Sequence, residues 1–181
     1  MSVKSVILVV EDDPDVTRSA RVALAACTQR IETLESAEQL ESALRSVAFD
    51  VVLLDMNFVT GERAGRAGLD ALAGVINFDP TLAVVLMTAY GGVSLAVEAL
   101  KKGAVDFILK PWHNEKLIAA VEAAANITRS RRAAELLQLD DLERNAIERV
   151  LLRSQGNVSA AAAVLGLSRA ALYRRMAKYG L

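Results

Sequence analysis

Short apolar runs alternate with segments of helical periodicity along the first two-thirds of the chain. Runs of this length, bounded by turn residues, are typical of strands buried in a parallel sheet. Parallel strands need crossover connections, which the intervening helical segments would supply with right-handed geometry. The pattern therefore predicts an α/β fold built on a doubly wound, five-stranded parallel sheet. The predicted strands are 6–10, 31–34, 51–54, 83–87 and 105–109.

The polar segments between the strands carry helix and turn signals. Ser36 to Gln39 has the spacing of a capping box, which predicts that the Ser36 side chain starts the second helix. Residues 57–67 form a polar segment longer than the usual connection in such folds, and a functional loop and a tolerated insertion are equally open interpretations. The five helices are predicted at 15–28, from Ser36 onwards, at 68–77, 94–102 and 115–132.

The C-terminal part has a different pattern, with three helical segments and no strand signal. The predicted helices are 142–154, 158–165 and 169–179, with Gly166 at the tight turn before the last one. Leu165, Leu167 and Leu172 would form a small apolar core. We therefore predict a first domain at 1–128, a connector at 129–139 and a small all-α domain at 140–181.

The net charge also differs between these two parts. Residues 1–128 have a net charge of −6, whereas residues 129–181 have a net charge of +5. A basic C-terminal part on an acidic body indicates a polyanionic partner. Cys27 is the only cysteine, which excludes an internal disulfide and favours a reducing cytoplasm. No apolar stretch is long enough to span a bilayer, and the N-terminal residues do not resemble a signal peptide, so no membrane association is expected.

Polar residues follow four of the predicted strands at their C-terminal ends. They are Asp12, Asp55, Thr88 and Lys110. In parallel α/β sheets this edge is where ligands bind. Together with Glu11, the two aspartates offer oxygen ligands suited to Mg²⁺, and Asp55 could then attack a phosphoryl group. Lys110 would stabilise the transferring phosphoryl group, although a salt bridge from Lys110 to Asp12 or Asp55 is an alternative interpretation.

These residues give the first domain a resemblance to the receiver domains of two-component response regulators, in particular those of NtrC-type regulators. The resemblance rests on Glu11-Asp12, Asp55, Thr88-Ala89 and Lys110-Pro111. It implies a flavodoxin-like fold, a sensor histidine kinase as phosphoryl donor and Asp55 as phosphoacceptor. It also implies a metal site of Glu11, Asp12, Asp55 and the Asn57 carbonyl, a cis Lys110–Pro111 peptide, and Phe107 as an aromatic switch residue. Phe107 could equally be an ordinary half-buried strand residue.

Residues 140–181 resemble the Fis-type helix-turn-helix domain that ends NtrC-type regulators. The resemblance rests on Gly156 to Ala161, Leu165 to Arg169, Leu172 to Arg175 and the ending Lys178 to Leu181. It implies double-stranded DNA as a partner, with the last helix in the major groove. A small domain of this kind is expected to form a homodimer, here through the Leu142–Leu152 helix. The expected DNA contacts are Asn157, Ser159, Ser168, Arg169, Arg174, Arg175 and Lys178.

The ATPase domain that usually lies between these two domains has no counterpart, because the chain contains no Gly-x-x-x-x-Gly-Lys phosphate loop. We therefore expect a transcriptional response regulator rather than an enzyme, acting by binding DNA in the cytoplasm. The alternative is a phosphotransfer or protein-interaction module whose C-terminal helices only dimerise. A phosphohydrolase using Asp55 is a weaker alternative, since nothing indicates a substrate pocket beyond the phosphate site.

Overall fold

The computed structural model describes residues 4–56, 64–89 and 93–181. It divides into two compact units, residues 1–131 and residues 132–181. The predicted bounds 1–128, 129–139 and 140–181 stay a prediction. Among the described helices, none combines the length and the apolar composition that crossing a membrane would require.

The first unit is built on a five-stranded sheet in which every pairing is parallel, in the order β2-β1-β3-β4-β5. The predicted fold class is thereby confirmed. The inner strands β1, β3 and β4 are almost wholly buried, which explains why their sequences are continuous apolar runs rather than alternating ones. The strands are β1 Ser5–Val10, β2 Thr28–Leu34, β3 Val51–Asp55, β4 Ala83–Ala89 and β5 Asp106–Lys110.

Helices cover both faces of this sheet, so that each face has its own apolar core. One core joins Val9, Leu53 and Val85 to Leu24 and Leu117 on the covering helices. The other core lies on the opposite face and includes Leu54, Leu72 and Leu86. The helices of the first unit are α1 Pro14–Leu24, α2 Leu40–Ser46, α3 Ala64–Phe78, α4 Val93–Lys101 and the start of α5 Asn114–Arg153.

Two predicted helix boundaries are wrong, one at the end of α1 and one at the start of α2. Helix α1 ends at Leu24 rather than near Thr28, since the Thr28 hydroxyl and the Cys27 amide both donate to the Leu24 carbonyl oxygen, at 2.9 and 3.1 Å. The Ser36 capping box does not form: Ser36 is extended and its side chain makes no capping hydrogen bond. Residues Ala37–Gln39 form a 3-10 turn before α2.

Helix α3 starts at Ala64, earlier than the predicted Gly68. Residues 57–63, which include Asn57 and most of the predicted long loop, lie outside the described residues. Gly68 is required by close packing, because a Cβ atom there would lie 2.9 Å from Cα of Met56. The start of α3 is thus packed directly against the residue that follows Asp55.

Helix α5 is much longer than predicted. It runs without interruption from Asn114 to Arg153, so the predicted connector 129–139 and the predicted helix 142–154 are both parts of it. Over this range the sequence contains neither proline nor glycine, the two residues that disfavour a helix most strongly. The boundary between the two compact units, at Arg131 and Arg132, falls within this helix.

The second unit combines the end of α5 with helices α6 Val158–Val164 and α7 Arg169–Tyr179. Its core consists of buried Ile147, Ala161, Ala162 and Leu172, with Leu165 and Leu167 partly buried against them. Gly166 has φ of +66° in the turn between α6 and α7, a left-handed conformation that favours glycine. The predicted turn and the predicted core leucines are confirmed, whereas Ile147 was not identified from the sequence.

The N-terminal edge of the sheet is held together by side chains that join strands to α5. The Ala83 amide donates to Thr128 Oγ1 at 2.9 Å, and the Thr128 hydroxyl donates to the Asp50 carbonyl oxygen at 2.7 Å. The Asp50 carboxylate in turn accepts from the Val6 amide at 2.8 Å. Thr128 is fully buried, so its single hydroxyl satisfies two backbone groups that water does not reach.

Replacing Thr128 with Val tests this arrangement, since Val preserves the shape and removes the hydroxyl. The Ala83 amide would lose its partner in a buried position, and we expect the free energy of unfolding to fall by about 1–3 kcal/mol. Urea unfolding followed by fluorescence of Trp112, the only tryptophan, reports the first unit. Thr128→Ser should retain most of the stability. Equal midpoints for Thr128→Val and the unmodified protein would contradict the assigned role.

Candidate functional site

The strand register brings the predicted site residues to one edge of the sheet. Val10 pairs with Leu54, which places Glu11 beside Asp55 at the ends of β1 and β3. Asp55 pairs with Met87, so Thr88 lies one residue beyond it on β4. Lys110 ends β5 and pairs with Ala89. Glu11, Asp55, Thr88 and Lys110 are therefore neighbours at the C-terminal edge, where the sequence predicted Asp12, Asp55, Thr88 and Lys110 with Glu11 as a further metal ligand.

Lys110 connects two buried carboxylates. Its Nζ lies 2.5 Å from Glu11 Oε2 and 2.7 Å from Asp55 Oδ1. The side chains of Glu11 and Asp55 are only 1% and 4% exposed, whereas that of Lys110 is 18% exposed. The sequence suggested Asp12 or Asp55 as ion-pair partners of Lys110. Asp55 is one of them, and Glu11 is the partner that the sequence did not indicate.

Burial and charge act in opposite directions on this cluster. Burial raises the pKa of the Glu11 carboxyl above its usual value, with a further contribution from the negative charge of Asp55, and the hydrogen bond from Lys110 only partly offsets this. Burial alone would lower the pKa of Lys110, but the hydrogen bonds and charges of Asp55 and Glu11 raise it. The ammonium is thus held in its charged form by the two carboxylates.

The cluster also has the donor set of a divalent-cation site. Glu11, Asp12 and Asp55 each offer a carboxylate oxygen, and these three oxygens lie within 4.8 Å of one another. Asp12 is exposed while the other two are buried, so the cluster opens to solvent on one side. All-oxygen donors with an open side suit a hard ion that keeps part of its hydration shell. The Asn57 carbonyl predicted for this site lies outside the described residues.

Two further predicted residues lie close to this edge. Thr88 is fully buried, and among the described residues its hydroxyl makes one long hydrogen bond, 3.4 Å, to the Ala89 carbonyl oxygen. Phe107 is half-buried on β5, pairs with Leu86 and packs against the α2–α3–α4 side of the sheet. The Lys110–Pro111 peptide is cis, as the resemblance implied. The switch role of Phe107 stays a prediction.

The candidate nucleic-acid surface lies on α6 and α7. Asn157 and Ser168 are the N-caps of these helices, and their side chains accept from the amides of Ala160 and Ala171. Both oxygens thus accept hydrogen bonds inside the unit, which leaves the Asn157 side-chain NH2 group and the Ser168 hydroxyl hydrogen as donors for DNA. Ser159, Arg169 and Arg174 are exposed. The Arg169 guanidinium lies 5.6 Å from the centre of the Tyr173 ring on the next turn of α7.

Arg175 and Lys178, also expected to contact DNA, are paired with acidic residues of α5. Arg175 Nε donates to Glu143 Oε1 at 2.5 Å, and Lys178 Nζ lies 2.8 Å from Asp140 Oδ1. No role was predicted for Asp140 and Glu143 from the sequence. Their spacing of three residues on one helix face is a signal for a shared partner, but the sequence does not show that α7 supplies it.

Comparison with known proteins identifies two families along the chain. Residues 7–122 match the family described as the response regulator receiver domain. Residues 138–179 match the family described as bacterial regulatory protein, Fis family. Only residues 123–137 separate the two matches, which leaves no room between them for an ATPase domain.

Individual relatives agree with these matches. The chain is 31% identical over 151 residues to the C4-dicarboxylate transport transcriptional regulatory protein DctD of Pseudomonas aeruginosa, covering 83% of this chain and 32% of that protein. It is 34% identical to the transcriptional regulatory protein ZraR of Klebsiella oxytoca, covering 68% of this chain and 27% of that protein. The chain thus spans about a third or less of the length of these two relatives.

Solved structures resemble the first unit. The N-terminal signal receiver domain of a response regulator from Bacteroides fragilis is 36% identical, with a TM-score of 0.62, covering 68% of this chain and 98% of that one. NtrX from Brucella abortus is 28% identical, with a TM-score of 0.66, covering 75% of this chain and 30% of that one.

Lys110→Met tests the electrostatic role of the ammonium, because Met keeps an unbranched side chain of similar length without charge. Two buried carboxylates would lose their counter-charge, and in the absence of divalent cations we expect the free energy of unfolding to fall by about 1–3 kcal/mol. This is less than the 3–5 kcal/mol of a fully buried pair, because the cluster opens to solvent. Trp112 fluorescence during urea unfolding measures the free energy of unfolding.

The matched control for that variant is Lys102→Met. Lys102 pairs with Glu98 on the surface, at 3.7 Å with both side chains about half exposed. A surface pair of this kind contributes less than about 1 kcal/mol. Equal losses in the two variants would contradict a special role for Lys110.

Proposed function

Because the chain belongs to the response regulator receiver family, we propose that Asp55 accepts a phosphoryl group and that the C-terminal helices bind double-stranded DNA in response. The observation that carries the proposal is the position of Asp55. Its buried carboxylate lies 2.7 Å from the Lys110 ammonium and within 4.8 Å of the Glu11 and Asp12 oxygens. This combines a nucleophile, a fixed cation and a site for a second cation.

The chemistry is a phosphoryl transfer from a phosphohistidine of a sensor histidine kinase. An Asp55 carboxylate oxygen forms a bond to phosphorus as the phosphorus–nitrogen bond breaks, and the electron pair stays on the imidazole, which then takes a proton from solvent. Glu11, Asp12, Asp55 and the Asn57 carbonyl would hold Mg²⁺, which neutralises charge on the phosphoryl oxygens. Lys110 contributes a positive charge that is in place before the donor arrives.

The transferred group would be read by residues on the neighbouring strands. The one hydrogen bond that the Thr88 hydroxyl makes within the described part of the chain is long, so a phosphoryl oxygen on Asp55 offers it a stronger acceptor. Movement of Thr88 would open space at the end of β4 that Phe107 on β5 can enter. Such a rearrangement changes the surface of the receiver, which is how local charge changes produce distant effects.

The DNA-binding part of the proposal rests on the second unit. Its α7 follows a tight turn after α6, as in helix-turn-helix proteins that place the last helix in the major groove. Arg169 lies at the start of α7, where base edges are reached, and Arg174 lies further along the same helix and is also exposed. The net positive charge of residues 129–181 favours binding to a duplex.

We further propose that the functional form is a homodimer. Several leucines of α5 are exposed, including Leu142 at 57% and Leu152 at 82%. Several exposed leucines on one helix form an apolar surface of the kind that usually marks a protein–protein contact. Pairing of two second units would place two α7 helices at neighbouring half-sites on a duplex. The same leucines are also the observation that favours the alternative, a module whose C-terminal helices only dimerise.

The first test is chemical. Incubation with acetyl phosphate and Mg²⁺ should add the mass of one phosphoryl group to the intact chain, and Asp55→Asn should remain unmodified because an amide does not attack phosphorus under these conditions. Intact-protein mass spectrometry measures the addition. Asp70→Asn, at an exposed position on α3, is the control and should be modified like the unmodified protein. Full modification of Asp55→Asn would contradict the assignment.

The second test separates DNA binding from simple dimerisation. Arg169→Gln and Arg174→Gln should each weaken binding to duplex DNA, by about 1–3 kcal/mol for a base contact and less for a phosphate contact. Fluorescence anisotropy with a labelled duplex measures affinity, and light scattering measures the oligomeric state, which should not change. The dimerisation-only alternative predicts that neither variant affects duplex binding.

A further inference from the structure

An acidic pair on α5 occupies the positive charges at the C-terminal half of α7. Glu143 accepts from Arg175 Nε through Oε1 and from the Tyr179 hydroxyl through Oε2, each at 2.5 Å. Asp140 Oδ1 lies 2.8 Å from Lys178 Nζ and 3.2 Å from the Tyr179 hydroxyl. Tyr179 therefore joins two ion pairs into one network between helices of the same unit. We call this network the clasp, and it consists of Asp140, Glu143, Arg175, Lys178 and Tyr179.

The clasp divides the basic residues of α7 into two groups. Arg175 and Lys178 belong to the clasp and are shared with carboxylates. Arg169 and Arg174 are exposed, and Arg169 stacks near the Tyr173 ring without an acidic partner among the described residues. The sequence alone suggested that all four cations contact DNA, because it does not show which of them already have a counter-charge.

We propose that Asp140 and Glu143 are positioning residues for DNA binding, which keep Arg175 and Lys178 out of the phosphate contacts and present Arg169 and Arg174 instead. The inference rests on the proposed DNA-binding function and deepens it. Arg175 and Glu143 are each a little more than one-third exposed, at 36% and 38%. A phosphate approaching Arg175 would have to displace a short, partly desolvated ion pair, whereas Arg174 has no such pair to break among the described residues.

The charge states of Asp140 and Glu143 agree with this grouping of the basic residues. The hydrogen bond from Lys178 lowers the pKa of Asp140, and those from Tyr179 and Arg175 lower the pKa of Glu143, so both carboxylates stay charged at neutral pH. A single exposed ion pair contributes little to stability, but a network with a shared hydroxyl fixes several long side chains in one arrangement. The clasp thus fixes the orientation of α7 against α5 within the second unit.

The salt dependence of DNA binding distinguishes the two groups of cations. Each neutralised phosphate contributes about −0.9 to the slope of log K against log salt. We expect Arg174→Gln in the 181-residue chain to make this slope shallower by about one on a short duplex of mixed sequence. Arg175→Gln and Lys178→Gln remove the same charge and should leave the slope within error of the unmodified protein.

The reverse experiment releases the paired cations. The double variant Asp140→Asn with Glu143→Gln keeps the size of both side chains and removes their charges. We expect the slope to become steeper by about one to two, because Arg175 and Lys178 become free to contact phosphates. Asp141→Asn is the control, since Asp141 is an exposed neighbour on α5 that makes no ion pair within the described part of the chain. It should leave the slope unchanged.

The outcomes separate this inference from the function it rests on. If no variant of α7 changes duplex binding, DNA binding through α7 is refuted. If Arg175→Gln and Lys178→Gln make the slope shallower as Arg174→Gln does, DNA binding stands and the positioning role of Asp140 and Glu143 is refuted. Thermal unfolding by circular dichroism identifies any variant whose helices are lost. For such a variant, the slopes of the remaining variants decide between these outcomes.

Discussion

The site depends on one ammonium group placed between two buried carboxylates. Glu11 and Asp55 cannot both be buried as anions at the ends of adjacent strands unless a positive charge lies with them. Lys110 provides that charge from the end of β5, two strands away from β3 in the sheet order. The sheet is what makes this possible, because parallel strands of matched register bring their C-terminal residues to one edge. A fold that moved any of these strands by one residue would lose the ion pairs.

Hydrogen bonds at the N-terminal edge of the sheet hold helix α5 against the strands. Thr128 joins α5 to the residue before β3 and to the first residue of β4, and these are the two strands that carry Asp55 and Thr88 at their other ends. Helix α5 then continues without interruption to Arg153 in the second unit. The same helix thus contributes to the receiver core, to the core around Ile147 and to the clasp on α7.

The strands and the grouping of the site residues at one edge of the sheet could be predicted from the sequence, since both follow from local pattern. Apolar runs identified four strands and the segment 31–34 the fifth, and the residues at the ends of the four runs are Asp12, Asp55, Thr88 and Lys110. Boundaries set by particular hydrogen bonds were missed, such as the end of α1 at Leu24 and the absent cap at Ser36. The pairing of Lys110 with Glu11 and of Arg175 with Glu143 was also missed, because such partners are distant in sequence and are chosen by tertiary packing. The cations of α7 looked equivalent for that reason.

The central claim is that chemistry at Asp55 changes how the second unit binds DNA, and this coupling can be measured directly. The dissociation constant of the 181-residue chain for one duplex would be determined before and after treatment with acetyl phosphate and Mg²⁺, at a fixed salt concentration. The account predicts a change of about 5- to 150-fold, the usual range for coupled sites, and no change in Asp55→Asn. An identical dissociation constant for phosphorylated and unphosphorylated protein would contradict the account, even if each unit performed its own task.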